Sequence, residues 1–392
     1  MHILIAPDSF KGSLTALEIC QTCTSAIHSI APNTQITSFP LADGGEGTVD
    51  AFVHNAGGQK INLTVTGPLN KPVDAFYGIL ADNKTAIIEM ASCAGLPLLT
   101  PEQQNPLYTT TKGVGELILN ALDRQCNKII LGLGGSATHD GGAGALSALG
   151  YEFLDEHQQP IPAGAEGLLK LCSINTANLD PRVENTEFII ASDVKNPLLG
   201  EHGAASVFGP QKGATPEMIP TLDRAVNNLI QRLAQQFDMP AAEIIQQPGA
   251  GAAGGMGAGL LTSLSNASIH SGFEVIAQHL NLTDLFKHGD LDLVITAEGQ
   301  INQQTSQGKL PVGVAKLASQ YNIPVIALVG SIGKGAELTH EQGITSIFSI
   351  INQPMPLEHA VTHADELLHQ TMREIFRLVR AFHTEKASGQ KG

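Results

Sequence analysis

Apolar and polar positions over residues 1–60 alternate in short blocks. Predicted strands at residues 3–6 and 35–40 are each followed by a helical pattern, over residues 14–30 and 47–55. The same order returns near the end of the chain, after predicted strands at residues 291–296, 324–329 and 346–350. Strands that alternate with helices are typical of parallel βαβ units. The two ends of the chain therefore predict parts of one doubly wound domain.

The middle of the chain has a different pattern. Residues 61–80 and 84–92 alternate with period 2 and predict strands joined by a Gly-Pro and an Asn-Lys-Pro turn, which is typical of hairpins. Helical patterns follow at 113–124 and 216–237, with a glycine-dense tract at 248–260. We therefore predict an inserted α/β domain over residues 61–286 inside a domain made of residues 1–60 and 287–392. A cleft between the two is expected.

The end of the chain predicts one long helix over residues 356–382. Its apolar stripe begins at Leu357 and Val361 and continues to Val379. Residues 383–392 are expected to be a disordered tail.

Composition narrows the function class. The 392 residues are 42% hydrophobic and 15% charged, and the net charge is −15 without a basic run. Such a chain is not expected to bind nucleic acid or an anionic membrane. No apolar segment near Met1 predicts a signal peptide or a membrane span. Five cysteines, an odd number, predict reduced thiols and a cytoplasmic protein, and Cys20 and Cys23 fall inside a helical pattern that favours packing over redox chemistry.

Four predicted strands run into loops that combine glycine with carboxylate, hydroxyl or lysine side chains. These loops are APDSFKGS, ADGGEGT, GLGGSATHDGGAG and AEGQINQQTSQGK. Ligands of open α/β sheets bind outside the carboxyl ends of the strands, and backbone amides there favour anions. The four loops predict the active site of an enzyme that handles phosphate groups.

The first two loops supply carboxylates and a cation. Asp8 could hold a metal or accept a proton, and Lys11 could meet a phosphate group as a point charge. Asp43 and Glu46 lie among glycines, which suggests binding of Mg²⁺ or of a substrate hydroxyl.

The third loop predicts a phosphate-binding segment. Its candidate residues are glycines that allow close backbone approach and hydroxyl donors, namely Gly134, Gly135, Ser136, Thr138, Gly141 and Gly142. Asp140 could equally serve a metal or cap the following helix. Further along, Asp193 ends a predicted strand, and Lys212 ends a Gly-Pro-Gln-Lys segment; both are expected to line the inserted domain's side of the cleft.

These segments together resemble the type 1 glycerate kinase family. The resemblance rests on IAPDSFKGSLTALE, PLADGGEGT, GLGGSATHDGGAG, SDVKNPLLG, FGPQKGAT, GAGAAGGMGAG and EGQINQQTSQGK, in the family's order. It implies a Rossmann/flavodoxin-like parallel-sheet domain interrupted by a second α/β domain. It also implies ATP-dependent phosphorylation of D-glycerate with Mg²⁺, giving 2-phosphoglycerate and ADP. A kinase for a related small hydroxy acid, a 3-phosphoglycerate-forming enzyme and a catalytically weakened binding protein are the alternatives.

The resemblance leads to a hypothesis for the role of each residue. Catalysis is assigned to Asp8, Lys11, Asp43 and Asp193, with Asp43 and Asp193 as Mg²⁺ ligands or general base. Substrate contacts are assigned to Ser9, Glu46, Lys212, Glu298, Thr305 and Lys309. D-glycerate is the expected small-molecule partner, and a homo-oligomer is allowed.

The fourth loop departs from the family pattern T-G-E-G-R, a hydrophobe, then D. Ala297 replaces a glycine, while Gln300 and Asn302 stand where a cation and an anion are usual. Because both charges are absent together, we predict that a structural ion pair is replaced by a neutral hydrogen-bonded pair.

Overall fold

The computed structural model describes residues 1–389, apart from the side chains of Gln307 and of residues 383–389. The chain forms two compact units: unit 1 contains Met1–Ala42 and the chain from Ile276 onward, and unit 2 is Asp43–Val275. These boundaries differ from those that we predicted. The physical reason at the first boundary is that the helix Thr48–Ala56 packs on strands of unit 2.

Unit 1 contains a five-stranded parallel sheet. In spatial order its strands are Ser346–Ser349, Val325–Ile332, Leu293–Ile301, His2–Ile5 and Gln35–Ser38. Numbered along the unit, the order is 2-1-3-4-5, the flavodoxin-like doubly wound arrangement. This confirms the predicted fold class. The helices of the unit are Ala16–His28, Leu282–His288, Leu310–Ser319, Leu357–Thr362 and Ala364–Gly389, with 3₁₀ turns at Thr305–Gln307 and Ala336–Gln342.

The core of unit 1 lies between this sheet and its helices. Ile3, Ile5 and Leu328 from the strands are fully buried together with Cys20 and Cys23 from the helix Ala16–His28. The burial of both thiols in this core confirms the packing role predicted for the two cysteines, and it raises the pKa of the Cys20 thiol to about 12.

Side-chain contacts and exposure define the helix ends of unit 1. The helix Ala16–His28 is capped by Thr15, whose capping box with Glu18 satisfies backbone donors at both residues. The last helix is two helices separated at His363, and Leu357 is 78% exposed, so the predicted apolar stripe does not begin there. The helix also extends to Gly389, and the rest of the predicted tail, residues 390–392, lies outside the described residues.

Unit 2 contains a six-stranded mixed sheet. In spatial order its strands are Ala267–His270, Glu187–Ala191, Lys128–Gly132, Thr85–Glu89, Pro72–Leu80 and Gly58–Thr66. The first four are parallel, and the last two join by antiparallel pairing, which confirms the predicted hairpin. A small antiparallel sheet pairs Glu152–Leu154 with Ser173–Asn175.

Helices cover the sheet of unit 2 and bury its apolar side chains. They are Thr48–Ala56, Ala91–Ala94, Lys112–Asp123, Ala143–Ala148, Ala165–Leu168, Ala204–Phe208, Ile219–Gln236, Ala241–Gln246 and Ala252–Ser263, and Gly272–His279 leads into unit 1. Short 3₁₀ turns lie at Leu96–Leu98, Pro101–Gln103, Val183–Asn185 and Pro210–Lys212.

Across residues 1–389, no helix has the length and apolar character that crossing a membrane requires.

Candidate active site

In unit 1, the candidate residues follow the two strands at which the sheet order reverses. His2–Ile5 and Leu293–Ile301 are parallel neighbours, and open sheets bind ligands outside the carboxyl ends of such a pair. The backbone N–H of Asp8 donates to the carbonyl of Ala297 at 2.9 Å, so the first loop is fixed to the neighbouring strand.

A tight turn presents Lys11. Phe10 and Leu14 exchange backbone hydrogen bonds of 2.8 and 3.1 Å, and Lys11 is exposed on the turn between them. Asp8 Oδ1 accepts the backbone N–H of Ser9 at 2.7 Å. A Cβ added at Gly299 would lie 3.7 Å from the backbone nitrogen of Lys11, so the turn passes beside the residue that follows Glu298. Unit 1 therefore brings the first and fourth loops together.

The contacts and backbone conformation of the fourth loop account for its departures from the family pattern. Asn302 Nδ2 donates to Gln300 Oε1 at 3.2 Å, which confirms the predicted neutral pair. Ala297 lies in the extended strand Leu293–Ile301, where a left-handed backbone is not needed. Thr305 is fully buried, and its hydroxyl oxygen accepts the backbone N–H of Asn302 at 3.2 Å. Lys309 is the N-cap residue of the helix Leu310–Ser319.

In unit 2, the Asp43–Gly47 loop lies against two strand ends through backbone contacts. Gly44 has a φ of +89°, and a Cβ there would lie 2.8 Å from the carbonyl oxygen of Ala191. The N–H of Gly134 donates to the Gly44 carbonyl at 3.1 Å. Only glycine allows this approach, which places the exposed carboxylates of Asp43 and Glu46 at the carboxyl ends of the parallel strands.

Asp43 and Asp193 both contact Gly272. Asp193 Oδ1 accepts the backbone N–H of Gly272 at 2.9 Å, and a Cβ at Gly272 would lie 2.6 Å from the carbonyl group of Asp43. The Asp193 carboxylate and the Asp43 backbone thus meet at one glycine. Within the described residues, no group of three or more His, Cys, Asp and Glu side chains is placed to hold a metal ion.

Glu89 is a residue that the sequence analysis missed. It is 2% exposed at the end of the strand Thr85–Glu89, and its Oε1 accepts the N–H of Val49 at 2.6 Å, in the first turn of the helix that follows Glu46. Burial raises the pKa of Glu89 to about 7, against the lowering effect of backbone donors at Val49 and Gly47. A lone glutamate after the apolar run Ala86–Ile88 was the signal that could have found it.

The third loop, the glycine-rich loop of residues 132–144, has an accessible end and a closely packed end. Gly135 is exposed with a φ of +72°, whereas Gly141 and Gly142 are buried. Cβ atoms at Gly141 and Gly142 would lie 2.5 Å from a methyl of Leu229 and 3.1 Å from Met256 Cγ. Close packing therefore accounts for these two glycines, and the accessible backbone of the loop lies at Gly134 and Gly135.

Asp140 is a helix cap. Its carboxylate accepts hydrogen bonds of 2.8 to 3.2 Å from the N–H and hydroxyl of Thr111 and from the N–H groups of Gly142 and Gly144. These bonds join the starts of the helices Lys112–Asp123 and Ala143–Ala148. Four donors on one buried carboxylate settle the two alternatives in favour of the cap.

Lys212 lies under the glycine-rich loop. It is 2% exposed, and its ammonium donates to Ser136 Oγ and to the Thr138 carbonyl, both at 2.8 Å. Burial lowers the pKa of Lys212 to about 7, against the opposing charge of Asp140. Burial and the charge of Lys212 lower the pKa of the buried His139 to about 3, so its imidazole is neutral.

The glycine-dense tract supports the same loop. The helix Ala252–Ser263 begins with left-handed conformations at Ala253, Gly254 and Gly255, and the Gly254 carbonyl accepts the N–H of Gly141 at 3.1 Å. A Cβ at Gly254 would overlap the carbonyl oxygen of Thr138. Gly254 is therefore required by the contact of this tract with the glycine-rich loop.

Comparison with known proteins identifies the family. A model of the glycerate kinase family matches residues 3–380. The chain belongs to the glycerate kinase family. It is therefore an enzyme of the phosphotransferase class.

Several members of the glycerate kinase family are similar over nearly their whole length. A glycerate kinase of Halalkalibacterium halodurans is 46% identical over 95% of this chain and 97% of its own. A glycerate 2-kinase of Escherichia coli is 42% identical over 96% and 97%. A crystal structure of a "putative glycerate kinase 2" from Salmonella typhimurium LT2 has a TM-score of 0.85 and 43% identity, and covers 98% of this chain and 99% of its own.

For this glycerate kinase family member, the assignments of individual site residues stay predictions. Asp8, Ser9, Lys11 and Glu298 lie in the adjoining first and fourth loops of unit 1. Asp43, Glu46, Asp193, Gly134 and Gly135 lie at the strand ends of unit 2. Thr305 and Lys212 are buried. The predicted cleft between the two domains also stays a prediction.

Proposed function

We propose that this enzyme transfers the γ-phosphoryl group of ATP to D-glycerate and forms 2-phosphoglycerate and ADP. Family membership over residues 3–380 and the similarity to an enzyme named glycerate 2-kinase support the substrate and the product. The observation that carries the proposal is the position of Asp43 and Asp193 at the strand ends that also carry Gly134 and Gly135. Carboxylates beside accessible glycine backbone suit phosphoryl transfer, which depends on positioning and charge stabilisation.

The residues of unit 2 fit Mg²⁺ bound together with a nucleotide. Mg²⁺ prefers oxygen ligands and is usually held by one or two carboxylates plus substrate phosphates. The Asp43 carboxylate is exposed, and the Asp193 carboxylate bonds to Gly272, which lies against the Asp43 backbone. These two carboxylates would supply the protein oxygens. When bound, the ion would neutralise charge on the phosphate oxygens.

The chain's own residues then have separate tasks. The exposed ammonium of Lys11 would stabilise negative charge on the transferring group. A carboxylate among Asp8, Asp43 and Asp193 would accept the proton of the attacking hydroxyl, since carboxylates within hydrogen-bond reach serve as general bases. The bond from Gly134 to Gly44 holds the loop and the carboxylates in register.

The first test is an assay of purified enzyme with ATP, Mg²⁺ and D-glycerate, coupled to enolase alone or through phosphoglycerate mutase. Signal with enolase alone supports 2-phosphoglycerate. Signal that requires the mutase contradicts the proposed product, and no signal with D-glycerate but turnover on another hydroxy acid contradicts the proposed substrate.

Variants test the assigned residues in the same assay. Asp8→Asn and Asp43→Asn are each expected to lower kcat by about 10²-fold or more, the usual effect of losing a general base or a charge at the reacting centre. Asp50→Asn is the matched control, because Asp50 is exposed and pairs with Lys60 at 2.8 Å on the helix after the Asp43 loop. Wild-type kcat in a folded Asp43→Asn protein would contradict the assignment of Asp43.

We also propose a cytoplasmic location. All five cysteines are free thiols, as in proteins of reducing compartments. The oligomeric state stays a prediction.

A further inference from the structure

The ammonium group of Lys212 is buried beneath the glycine-rich loop. Burying an ammonium group is costly unless hydrogen bonds and opposite charge compensate. Lys212 has two such bonds, to Ser136 Oγ and to the Thr138 carbonyl, and the charge of Asp140 opposes its deprotonation. Both bonds reach a loop more than 70 residues earlier, so they join two distant segments of unit 2.

The direction of the bond to Ser136 has a chemical consequence. A protonated amine only donates, so Ser136 Oγ must accept from Lys212. The hydroxyl hydrogen of Ser136 is then directed to another partner. Ser136 follows the accessible Gly134 and Gly135, where the proposed function places a phosphate group.

We propose that Lys212 is a positioning residue that makes Ser136 a hydrogen-bond donor to the phosphate groups of the nucleotide. This inference rests on the proposed function. It differs from the sequence-based assignment of Lys212 to a substrate contact, because the ammonium is buried and already bonded to the loop.

The pH dependence of nucleotide binding follows from the same bond. Burial lowers the pKa of Lys212 to about 7, so the free enzyme loses this proton near neutral pH. A neutral amine has a lone pair that accepts the Ser136 hydroxyl hydrogen and reverses the bond. Among the described residues, Asp140 and His139 are the titratable groups that interact with Lys212, and the low pKa of His139, about 3, keeps it neutral over this range. Nucleotide affinity is therefore expected to fall as the pH rises through about 7, with less change in kcat at saturation.

The experiment measures ATP binding by calorimetry with Mg²⁺ and without D-glycerate, together with both KM values. Lys212→Met and Ser136→Ala are each expected to weaken ATP binding and raise the ATP KM by about tenfold, the effect of one hydrogen bond to a charged group. The glycerate KM should stay unchanged. Because Lys212 acts through Ser136, the double variant should be no weaker than Lys212→Met alone. Lys170→Met, at an exposed lysine of unit 2, is the matched control.

The pH dependence is measured on the wild type and on Ser136→Ala, so this part of the experiment does not require Lys212→Met to fold. The ATP KM of the wild type should rise above neutral pH, and that of Ser136→Ala should not. A higher glycerate KM with an unchanged ATP KM in Lys212→Met, or equal pH profiles in wild type and Ser136→Ala, would overturn the inference alone. A wild type that neither binds ATP nor phosphorylates D-glycerate would overturn the proposed function itself.

Discussion

The Glu89→Gln substitution is expected to change how the stability of unit 2 depends on pH. Burial raises the pKa of Glu89 from 4.5 to about 7. Between these values the folded protein keeps a proton that the unfolded chain has released, so the free energy of unfolding falls as the pH rises. Glutamine cannot ionise, and its Oε1 can still accept the Val49 N–H that Glu89 accepts at 2.6 Å.

The size of the effect follows from the shift. One pKa unit corresponds to about 1.4 kcal/mol, so an ionised Glu89 costs the folded state on the order of 3 kcal/mol. Relative to the wild type, Glu89→Gln should therefore gain up to about 3 kcal/mol of stability between about pH 5 and pH 8, with most of the gain complete just above pH 7.

Urea unfolding at several pH values measures this difference. Three of the four tyrosines, Tyr77, Tyr108 and Tyr151, belong to unit 2 and the chain has no tryptophan, so tyrosine fluorescence reports mainly on that unit. Glu243→Gln, at an exposed glutamate of the same unit, is the control and should follow the wild type. Parallel pH curves for Glu89→Gln and wild type would refute the reasoning.

Three further variants test other contacts. Gly134→Ala would place a Cβ 2.5 Å from Gly45 Cα, so the loop must shift. We expect the kcat/KM of the folded variant to be about 10²-fold lower. Wild-type kinetics would contradict the importance of this backbone contact. Asp140→Ala leaves four donors without their carboxylate and should lower the free energy of unfolding by at least about 3 kcal/mol in chemical denaturation, whereas a metal ligand alone would leave it little changed. The double substitution Gln300→Arg with Asn302→Asp should change kcat/KM by less than about fivefold, because an exposed pair contributes little; a larger gain would mean that an arginine at position 300 contacts the substrate.

The sequence predicted what depends on local pattern. Strand–helix alternation gave the parallel sheet of unit 1, and period 2 gave the hairpin of unit 2, because each pattern reports which face of an element is buried. The charge-neutral change at Gln300 and Asn302 was also interpretable, since the two residues are close in sequence and bond directly.

Contacts between residues that are far apart in the sequence could not be predicted. Glu89 meets Val49 across 40 residues and Asp140 meets Thr111 across 29, so the sequence spacing reveals neither of these two contacts. Lys212 was expected at an accessible surface, but its partner Ser136 is 76 residues away and draws it into the interior. Leu357 continued the spacing of the last helix, yet the interruption at His363 leaves it exposed.

The insertion of unit 2 between the second and third strands of unit 1 has a consequence for synthesis on the ribosome. Ala6, next to the first strand, bonds to Thr296, which is 290 residues further along the chain. At about 5–20 residues per second, His2–Ile5 waits roughly 15 to 60 s for its central neighbour Leu293–Ile301, while all of unit 2 has already emerged. The continuous unit is thus free to fold first, and the amino-terminal strands remain open to chaperones or to misplaced pairing until Leu293–Ile301 has been synthesised.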